Sequence, residues 1–165
     1  GLVSLPSVGH AAPQVVDVIG PECRNVIVDF QERILLDAQS WGRLLDNEPA
    51  IIPYMDVQLR SSIDVYDDFV HTLYLNNMIR FTAEPIDIVT PFFVAKQYGR
   101  LRIVWDCRVA NRRFEPSPPI SMPSGTTWGS LELDPGEDLF VAQSDVKDFF
   151  YSLGINSDLG RHCCL

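Results

Sequence analysis

The sequence predicts an α+β fold in which helices come first and an antiparallel β-hairpin follows. Before residue 78, two stretches place apolar side chains three or four positions apart, which is the period of an amphipathic helix. Between residues 88 and 105, two short runs rich in β-branched and aromatic residues flank a glycine-containing turn. A chain of 165 residues with 46% hydrophobic composition is also long enough to bury a core.

The first helix is expected from about residue 25 to residue 46. One face of it would carry the apolar residues Val26, Phe30, Ile34, Ala38, Trp41 and Leu45. Pro49 follows closely and ends the helical pattern. Residues 1–23 contain several Gly, Pro and Ser residues without a sustained period, so we expect them to form a loose leader.

The second helix is expected from about residue 64 to residue 77. Asp64 is a suitable N-cap, and Asp67 and Asp68 lie in the first turns, where negative charge favours a helix. Residues 49–63, between the two helices, hold two prolines and are expected to form an irregular connector.

Beyond residue 77 the apolar residues alternate instead of recurring with a helical period. Residues 79–82 are expected to form a strand, and residues 88–95 a second strand in which Pro91 indicates an edge or a bulge. Residues 97–100 form a turn, and residues 101–105 return as the other strand of an antiparallel hairpin.

The last third of the chain begins with a proline-rich segment. Four prolines among residues 114–125 require an extended conformation. A short helix is expected at residues 126–133, a short buried strand at residues 139–142, and a turn into a helix at residues 146–153. The buried strand would end close to Asp145.

The chain is acidic, with a net charge of −9, but its basic residues are concentrated in one place. Residues 91–114 hold six basic side chains and a single acidic one, Asp106; the basic residues are Lys96, Arg100, Arg102, Arg108, Arg112 and Arg113. A cationic segment in an acidic protein predicts a local site for an anion rather than a surface that coats nucleic acid. A solvated basic face without a ligand is the alternative.

The four cysteines show no C-x-x-C spacing, which favours a reducing, intracellular compartment, either cytoplasmic or nuclear. No run of about 18 apolar residues is present, so a membrane is not an expected partner. The chain starts at Gly1 and finishes on an apolar Cys-Cys-Leu, and we expect it to be an excerpt of a longer protein. The sequence leaves the oligomeric state open.

Charged and polar residues recur at fixed spacing along the predicted hairpin. The first strand ends in Lys96, a turn containing Gly99 follows, and the second strand opens an R-x-x-x-D-x-R-x-x-N pattern formed by Arg102, Asp106, Arg108 and Asn111. This order resembles the fingers hairpin of reverse transcriptases, the RNA-directed DNA polymerases of retroelements. The resemblance implies a fingers subdomain, with helices and the hairpin, that leads into the start of a polymerase palm.

The resemblance implies a role for each of these residues. Arg102 would bind the triphosphate of an incoming dNTP through its planar guanidinium, and Lys96 would add a point charge. The family often has consecutive lysines here, whereas this chain has Gln97, so either Lys96 or Gln97 could be the phosphate contact. Asp106, Arg108 and Asn111 would stabilise the hairpin or touch the template strand, and Asp106 and Arg108 can pair because residues two positions apart on a strand share a face.

Residues 145–151, with the sequence DVKDFFY, resemble motif A of the same family. In that motif the first aspartate, here Asp145, is the catalytic carboxylate that binds Mg²⁺. The aromatic residue five positions later, here Phe150, excludes a 2′-hydroxyl and so selects deoxynucleotides, and Tyr151 lies beside it in the substrate-binding group. Without the resemblance, Asp145 could simply cap a turn and Phe150 could be a core aromatic.

The match covers residues 64–165, a partial reverse transcriptase domain, and leaves residues 1–63 as an unassigned leader with a long amphipathic helix. It implies deoxynucleotide addition to a primer 3′-hydroxyl on an RNA or DNA template-primer, by two Mg²⁺ ions. A Y-x-D-D-like motif, which supplies further carboxylates in the family, does not occur in the 165 residues, so we expect no polymerase activity from them alone. The alternatives are a non-catalytic nucleic-acid-binding or interaction module derived from a retroelement, and an ordinary structural domain.

Overall fold

The computed structural model describes residues 3–6, 12–120, 122, 124–145 and 149–165. Within these residues, short helices accompany one two-stranded antiparallel sheet, so the predicted α+β class is confirmed. The helices are α1 (Val15–Val18), α2 (Pro21–Val28), α3 (Phe30–Arg33), α4 (Ala38–Asn47), α5 (Val57–Ser61), α6 (Ile63–Leu75), α7 (Arg108–Asn111), α8 (Gly125–Gly129) and α9 (Ser157–Gly160).

The sheet is the predicted hairpin. Strand β1 (Thr90–Ala95) pairs with β2 (Leu101–Asp106), and the register runs from Thr90 opposite Asp106 to Ala95 opposite Leu101. The N–H of Lys96 donates to the carbonyl of Arg100 at 2.7 Å and extends this register by one pair. Residues 97–99 reverse the chain in a tight turn, in which Tyr98 and Gly99 have positive φ.

Helix α6 covers one face of the hairpin with aromatic side chains. The ring of Phe69 lies 5.6 Å from that of Phe93 in an edge-to-face arrangement and 6.5 Å from that of Trp105. Ile103, on the same face by strand alternation, is buried, and Leu73 of α6 has no exposed surface. Burial of this apolar surface is what holds the two strands in place, because an isolated hairpin is marginally stable in water.

A second buried cluster joins residues that are far apart in the sequence. The Nδ1 atom of His162 lies 2.6 Å from Oδ2 of Asp87, and both side chains are buried. The other oxygen of Asp87 accepts from Nε of Arg113 at 3.3 Å. The rings of Phe30 and Phe114 pack edge-on against His162 at 5.8 and 5.4 Å. The cluster therefore connects the end of the chain to segments near residues 30, 87 and 113.

The single long helix predicted for residues 25–46 is wrong. It is divided into α2, α3 and α4, with breaks at Asp29 and at residues 34–37. Asp37 adopts an extended conformation, and its carboxylate accepts the N–H groups of Gln39 and Ser40 at 2.8 and 2.9 Å. A short acidic side chain that caps a new helix competes with continuation of the preceding one, which the apolar period alone does not reveal.

The other helix boundaries also differ from expectation. Helix α6 is capped by Ser62 rather than by Asp64, since the Ser62 hydroxyl accepts the N–H of Val65 at 3.4 Å. The connector predicted to be irregular contains α5, which is capped by Asp56. The predicted leader contains α1 and the start of α2, in which Pro21 is the first helical residue, a position where its missing N–H costs nothing.

Two predicted strands are not formed. Residues 79–82 have no regular structure, and neither do residues 139–142, where the side chain of Phe140 is 90% exposed. Alternating apolar residues make a strand only when another strand supplies hydrogen-bond partners, and in the described part of the chain neither run has one.

The remaining expectations concern residues 114–153. The proline-bearing residues 115–120 lack helix and strand, as predicted, and the short helix that follows ends at Gly129 rather than at residue 133. Of the segment expected to turn into a helix, residues 146–148 lie outside the described residues, and Phe149–Tyr151 form one 3₁₀ turn.

The chain divides into two compact units. The first comprises Gly1–Glu115 and Asp148–Leu165, and the second comprises Pro116–Lys147. The hairpin and both buried clusters belong to the first unit, whereas α8 and Asp145 belong to the second. The predicted division into a leader, 1–63, and a partial reverse transcriptase domain, 64–165, concerns family resemblance and stays a prediction.

Candidate functional site

One face of the hairpin carries three cations at its tip. Because side chains alternate along a strand and directly paired residues share a face, the register places Arg102 beside Val94 on the same face as Phe92 and Val104. The Lys96–Arg100 pair continues this face beyond the ends of the strands. Lys96, Arg100 and Arg102 therefore lie together, and all three are exposed.

The base of the same face is covered by Tyr54. Its ring packs edge-on against that of Phe92, with 5.4 Å between the centroids. Its backbone is held by both strands: Oγ1 of Thr90 donates to the carbonyl of Tyr54 at 2.6 Å, and Oδ2 of Asp106 accepts the N–H of Tyr54 at 2.8 Å. The face is thus closed at its base and open at its tip.

Asp106 is the polar centre of the base. Besides the N–H of Tyr54, its carboxylate accepts hydrogen bonds from Arg108, through Nε at 2.8 Å, Nη2 at 2.6 Å and the backbone N–H at 3.2 Å. The Arg108 side-chain hydrogen bonds hold the pKa of Asp106 well below its usual range, against the opposing effect of burial, and the backbone donors act in the same direction. Asp106 is therefore ionised and saturated with donors.

The predicted pairing of Asp106 with Arg108 is present, but not for the predicted reason. Arg108 is the first residue of α7 rather than a strand residue, so the pair does not arise from strand alternation. The guanidinium forks onto the carboxylate because the chain turns immediately after Asp106. The pair fixes the start of α7 against the end of β2.

Half of the basic segment is used for internal ion pairs. Arg108 pairs with Asp106, Arg112 pairs with Glu48 at 2.8 Å, and Arg113 pairs with Asp87. Arg113 also lies over the ring of Trp41, 4.3 Å from its centroid. Arg112 and Arg113 fasten the end of this segment to distant parts of the unit, whereas Arg108 pairs locally, and in all three the charge is already compensated by a carboxylate.

The other half is available to a ligand. In the described part of the chain, Lys96, Arg100 and Arg102 have no ion-pair partner. They line an open cleft of about 550 Å³, here called the tip cleft, whose described lining residues are Val94, Ala95, Lys96, Gln97, Tyr98, Arg100 and Arg102. Three positive charges without ion-pair partners among the described residues give this concave surface a positive potential, which attracts anions.

A smaller cavity of about 360 Å³ lies at the base of the hairpin. Asp106, Arg108 and Asn111, the trio predicted to act together, line it with Tyr54, Phe92, Trp105 and Cys107. Burial, and next the Asp106 carboxylate, raise the pKa of the Cys107 thiol, so at neutral pH this thiol is protonated and is a poor nucleophile. The described residues around this cavity therefore stabilise the base of the hairpin and do not provide a nucleophile for covalent catalysis.

The structure describes the backbone of Asp145, Phe150 and Tyr151, the three site residues predicted in motif A, but the side chains of only Asp145 and Tyr151. Asp145 is exposed, and the buried strand expected to present it is not formed. Tyr151 is half-buried in the 3₁₀ turn and is not among the described lining residues of the tip cleft. The side chain of Phe150 lies outside what the structure describes, so its role in sugar selection stays a prediction.

The donors for Mg²⁺ form an incomplete set. A metal site of this kind needs several oxygen ligands, usually more than one carboxylate. Among the described residues no group of three His, Cys, Asp or Glu side chains converges to hold a metal ion. Asp145 offers a single carboxylate, which does not by itself fit the predicted pair of ions.

Several residues that shape the site were not singled out from the sequence. Tyr54 lies 36 residues before its partner Thr90, and Asp87 lies 75 residues before His162. No local pattern links residues so far apart. The exposed tyrosine at position 98 had a local signal, since a large residue beside Gly99 in a short turn is uncommon.

Comparison of the chain with protein families, with curated proteins and with solved structures finds no match. The likeness to reverse transcriptases consequently rests on the quoted residues alone. In the described residues no helix is both long enough and apolar enough to cross a membrane.

Proposed function

We propose that the tip cleft binds the triphosphate of a deoxynucleotide, and that the chain is the fingers and the beginning of the palm of a retroelement RNA-directed DNA polymerase. One observation carries the proposal: Lys96, Arg100 and Arg102 lie without ion-pair partners on one face of the hairpin, within the described residues. Arg102 also opens the R-x-x-x-D-x-R-x-x-N pattern.

The chemistry of the cleft suits a triphosphate. A guanidinium donates paired hydrogen bonds to phosphate oxygens and stays charged at any physiological pH, which fits Arg102. The ammonium of Lys96, a diagonal neighbour of Arg102 across the two strands, adds a compact charge. Both project from a hydrogen-bonded hairpin, so the backbone that carries them is already ordered before the anion binds.

The base of the hairpin supports this grip rather than forming part of it. Asp106 is saturated by Tyr54 and Arg108, and it therefore has a structural role in the proposal. Asn111 is exposed at the end of α7 and remains available for a template contact. The proposal thus assigns Arg102 and Lys96 of the tip to the triphosphate and leaves Asn111 for a contact with the template strand.

Catalysis is proposed for the complete polymerase and not for these residues alone. Mg²⁺ would supply charge neutralisation and activation of the primer 3′-hydroxyl there. This chain would contribute Asp145 as one carboxylate ligand. We expect no primer extension by the 165-residue chain; Mg²⁺-dependent extension would contradict that expectation.

A non-catalytic module that binds nucleic acid is the second candidate. The observation that favours it is the contrast between the tip cleft, where three cations meet in one unit, and the predicted metal site, for which Asp145 alone is described. The two candidates differ in one measurable respect. In a protein that also carries the further palm carboxylates, Asp145→Ala weakens Mg²⁺-dependent dNTP binding only if motif A is a metal site.

Calorimetric titration at low ionic strength tests the triphosphate site in the chain itself. We expect dTTP to bind and thymidine, which lacks the phosphates, not to bind. Arg102→Gln should weaken dTTP binding about tenfold, because it removes a charge-assisted bidentate contact with the phosphates. Arg60→Gln, which removes an exposed arginine of α5 outside the cleft, is the matched control and should leave binding unchanged. Equal affinities in the two variants would overturn the proposal.

A further inference from the structure

Tyr98 is the most exposed large hydrophobic residue of the described chain, with 96% of its surface accessible. It stands at the extreme end of the hairpin, in the middle of the turn of residues 97–99. Its backbone has φ 63° and ψ 31°, the left-handed region that side chains other than glycine adopt infrequently.

Nothing in the described residues compensates for this placement. The ring packs against no other described ring, and its hydroxyl has no hydrogen-bond partner among them. A tyrosine that is strained and fully hydrated contributes nothing evident to the fold. The left-handed conformation belongs to the hairpin turn, but the turn does not need an aromatic side chain at this position, so the exposed ring is available to a ligand.

The surroundings of the ring identify the ligand class. Tyr98 lines the tip cleft together with Lys96, Arg100 and Arg102, so a flat aromatic surface lies among three cations without ion-pair partners in the described chain. Proteins that bind single-stranded nucleic acid combine these two elements: cations follow the phosphates, and aromatic rings stack on the bases. An acidic peptide would use the cations but would leave the ring without a matching partner.

We propose that the tip of the hairpin binds single-stranded nucleic acid, with the ring of Tyr98 stacked on an unpaired base and Arg100 contacting the neighbouring phosphate. The site deepens the proposed function, because it shares the cleft with the dNTP triphosphate and would guide the unpaired part of a template towards it. It adds Tyr98 to the residues of the proposed triphosphate site, and it assigns Arg100 to the nucleic-acid phosphate while Arg102 and Lys96 hold the triphosphate.

Fluorescence anisotropy with two labelled probes tests the stacking directly. One probe is a ten-residue oligothymidylate, and the other is a ten-residue abasic oligonucleotide with the same phosphates and no bases. We expect the wild-type chain to bind oligothymidylate about tenfold more tightly, since base–aromatic stacking supports a difference of that order. Tyr98→Phe should retain the difference, and Tyr98→Asn, which suits the left-handed turn, should abolish it.

The outcomes separate this site from the triphosphate site. Equal binding of both probes by the wild type, or a base-dependent difference that survives in Tyr98→Asn, overturns the stacking proposal. The stacking proposal is also overturned if oligoglutamate of equal charge binds as tightly as oligothymidylate, a result that would indicate an acidic peptide as the ligand. If the chain prefers oligothymidylate in a Tyr98-dependent way but does not bind dTTP, the stacking proposal stands and the triphosphate proposal fails. If it binds dTTP but shows no preference for oligothymidylate, the triphosphate proposal stands and the stacking proposal fails.

Discussion

Thr90 and Asp106 face each other across the hairpin and hold the backbone of the same residue, Tyr54. The hydroxyl of Thr90 donates to its carbonyl and the carboxylate of Asp106 accepts its N–H, at 2.6 and 2.8 Å. A segment 36 residues before β1 is thereby fastened to both strands at one step of the ladder. This clamp fixes the base of the hairpin and leaves the cationic tip free.

Loss of the Asp106 carboxylate should loosen the clamp. Asp106→Ala removes the charged acceptor of the Tyr54 N–H and of Arg108, and we expect the free energy of unfolding to fall by about 2 kcal/mol, which is typical of a hydrogen bond to a charged group. Thr90→Val removes the other hydrogen bond at nearly constant volume and should cost about 1 kcal/mol. Urea unfolding followed by circular dichroism measures both, and an unchanged midpoint for Asp106→Ala would refute the clamp.

The same carboxylate predicts how stability depends on acid. The folded chain holds the pKa of Asp106 well below its ordinary value of 3.8, chiefly through Arg108, so the folded state keeps this group ionised where the unfolded state takes up a proton. Its contribution is complete above about pH 5 and is lost as the pH falls through 3.8 and below. The stability difference between wild type and Asp106→Asn should therefore shrink between about pH 5 and pH 3. A constant difference would contradict the ion pair.

The buried carboxylate of Asp87 should be more costly to remove. It binds Nδ1 of His162 and Nε of Arg113, and Asp87→Ala leaves both groups without their acceptor inside the unit. We expect a loss of about 3 kcal/mol in the free energy of unfolding. Glu84→Ala is the matched control: its carboxylate pairs with Arg161 at 3.3 Å but is 72% exposed, and its loss should cost less than about 1 kcal/mol. Equal losses would show that burial of Asp87 is unimportant.

The turn predicts two opposite effects of substitution. Gly99 has φ 70°, and although nothing lies within 4 Å of an added Cβ, alanine would be strained there. Gly99→Ala should lower stability by about 1 kcal/mol. Tyr98→Asn should raise it by about 0.5 kcal/mol, because asparagine tolerates the left-handed region better than tyrosine. Thermal unfolding distinguishes the two signs, and destabilisation by Tyr98→Asn would mean that the ring supports the fold.

The accuracy of the sequence-based expectations follows the range of the interactions involved. The hairpin was predictable because its signals, a β-rich run ending at Lys96 and a glycine turn, are local. The exposed segment 139–142 does not form the predicted strand because strand formation depends on a partner strand, which local composition cannot supply. The predicted long first helix is divided because the capping by Asp37 competes with the apolar period.

The candidate site follows the same rule. The six basic residues were visible in the sequence, but their division into paired and unpaired halves was not. Arg112 and Arg113 find their acidic partners 64 and 26 residues away, at Glu48 and Asp87. Only the folded chain therefore distinguishes the cations that fasten the unit from those that remain open to a ligand.

The most direct test of the triphosphate site is its location on the hairpin. Titration of ¹⁵N-labelled chain with dTTP, followed by two-dimensional NMR, reports which backbone amides sense the ligand. We predict saturable shifts confined to the amides of residues 94–102, with thymidine producing none, and their loss in Arg102→Gln. Shifts that are absent from residues 94–102, or that persist unchanged in Arg102→Gln, would contradict the proposal that this cleft grips the nucleotide.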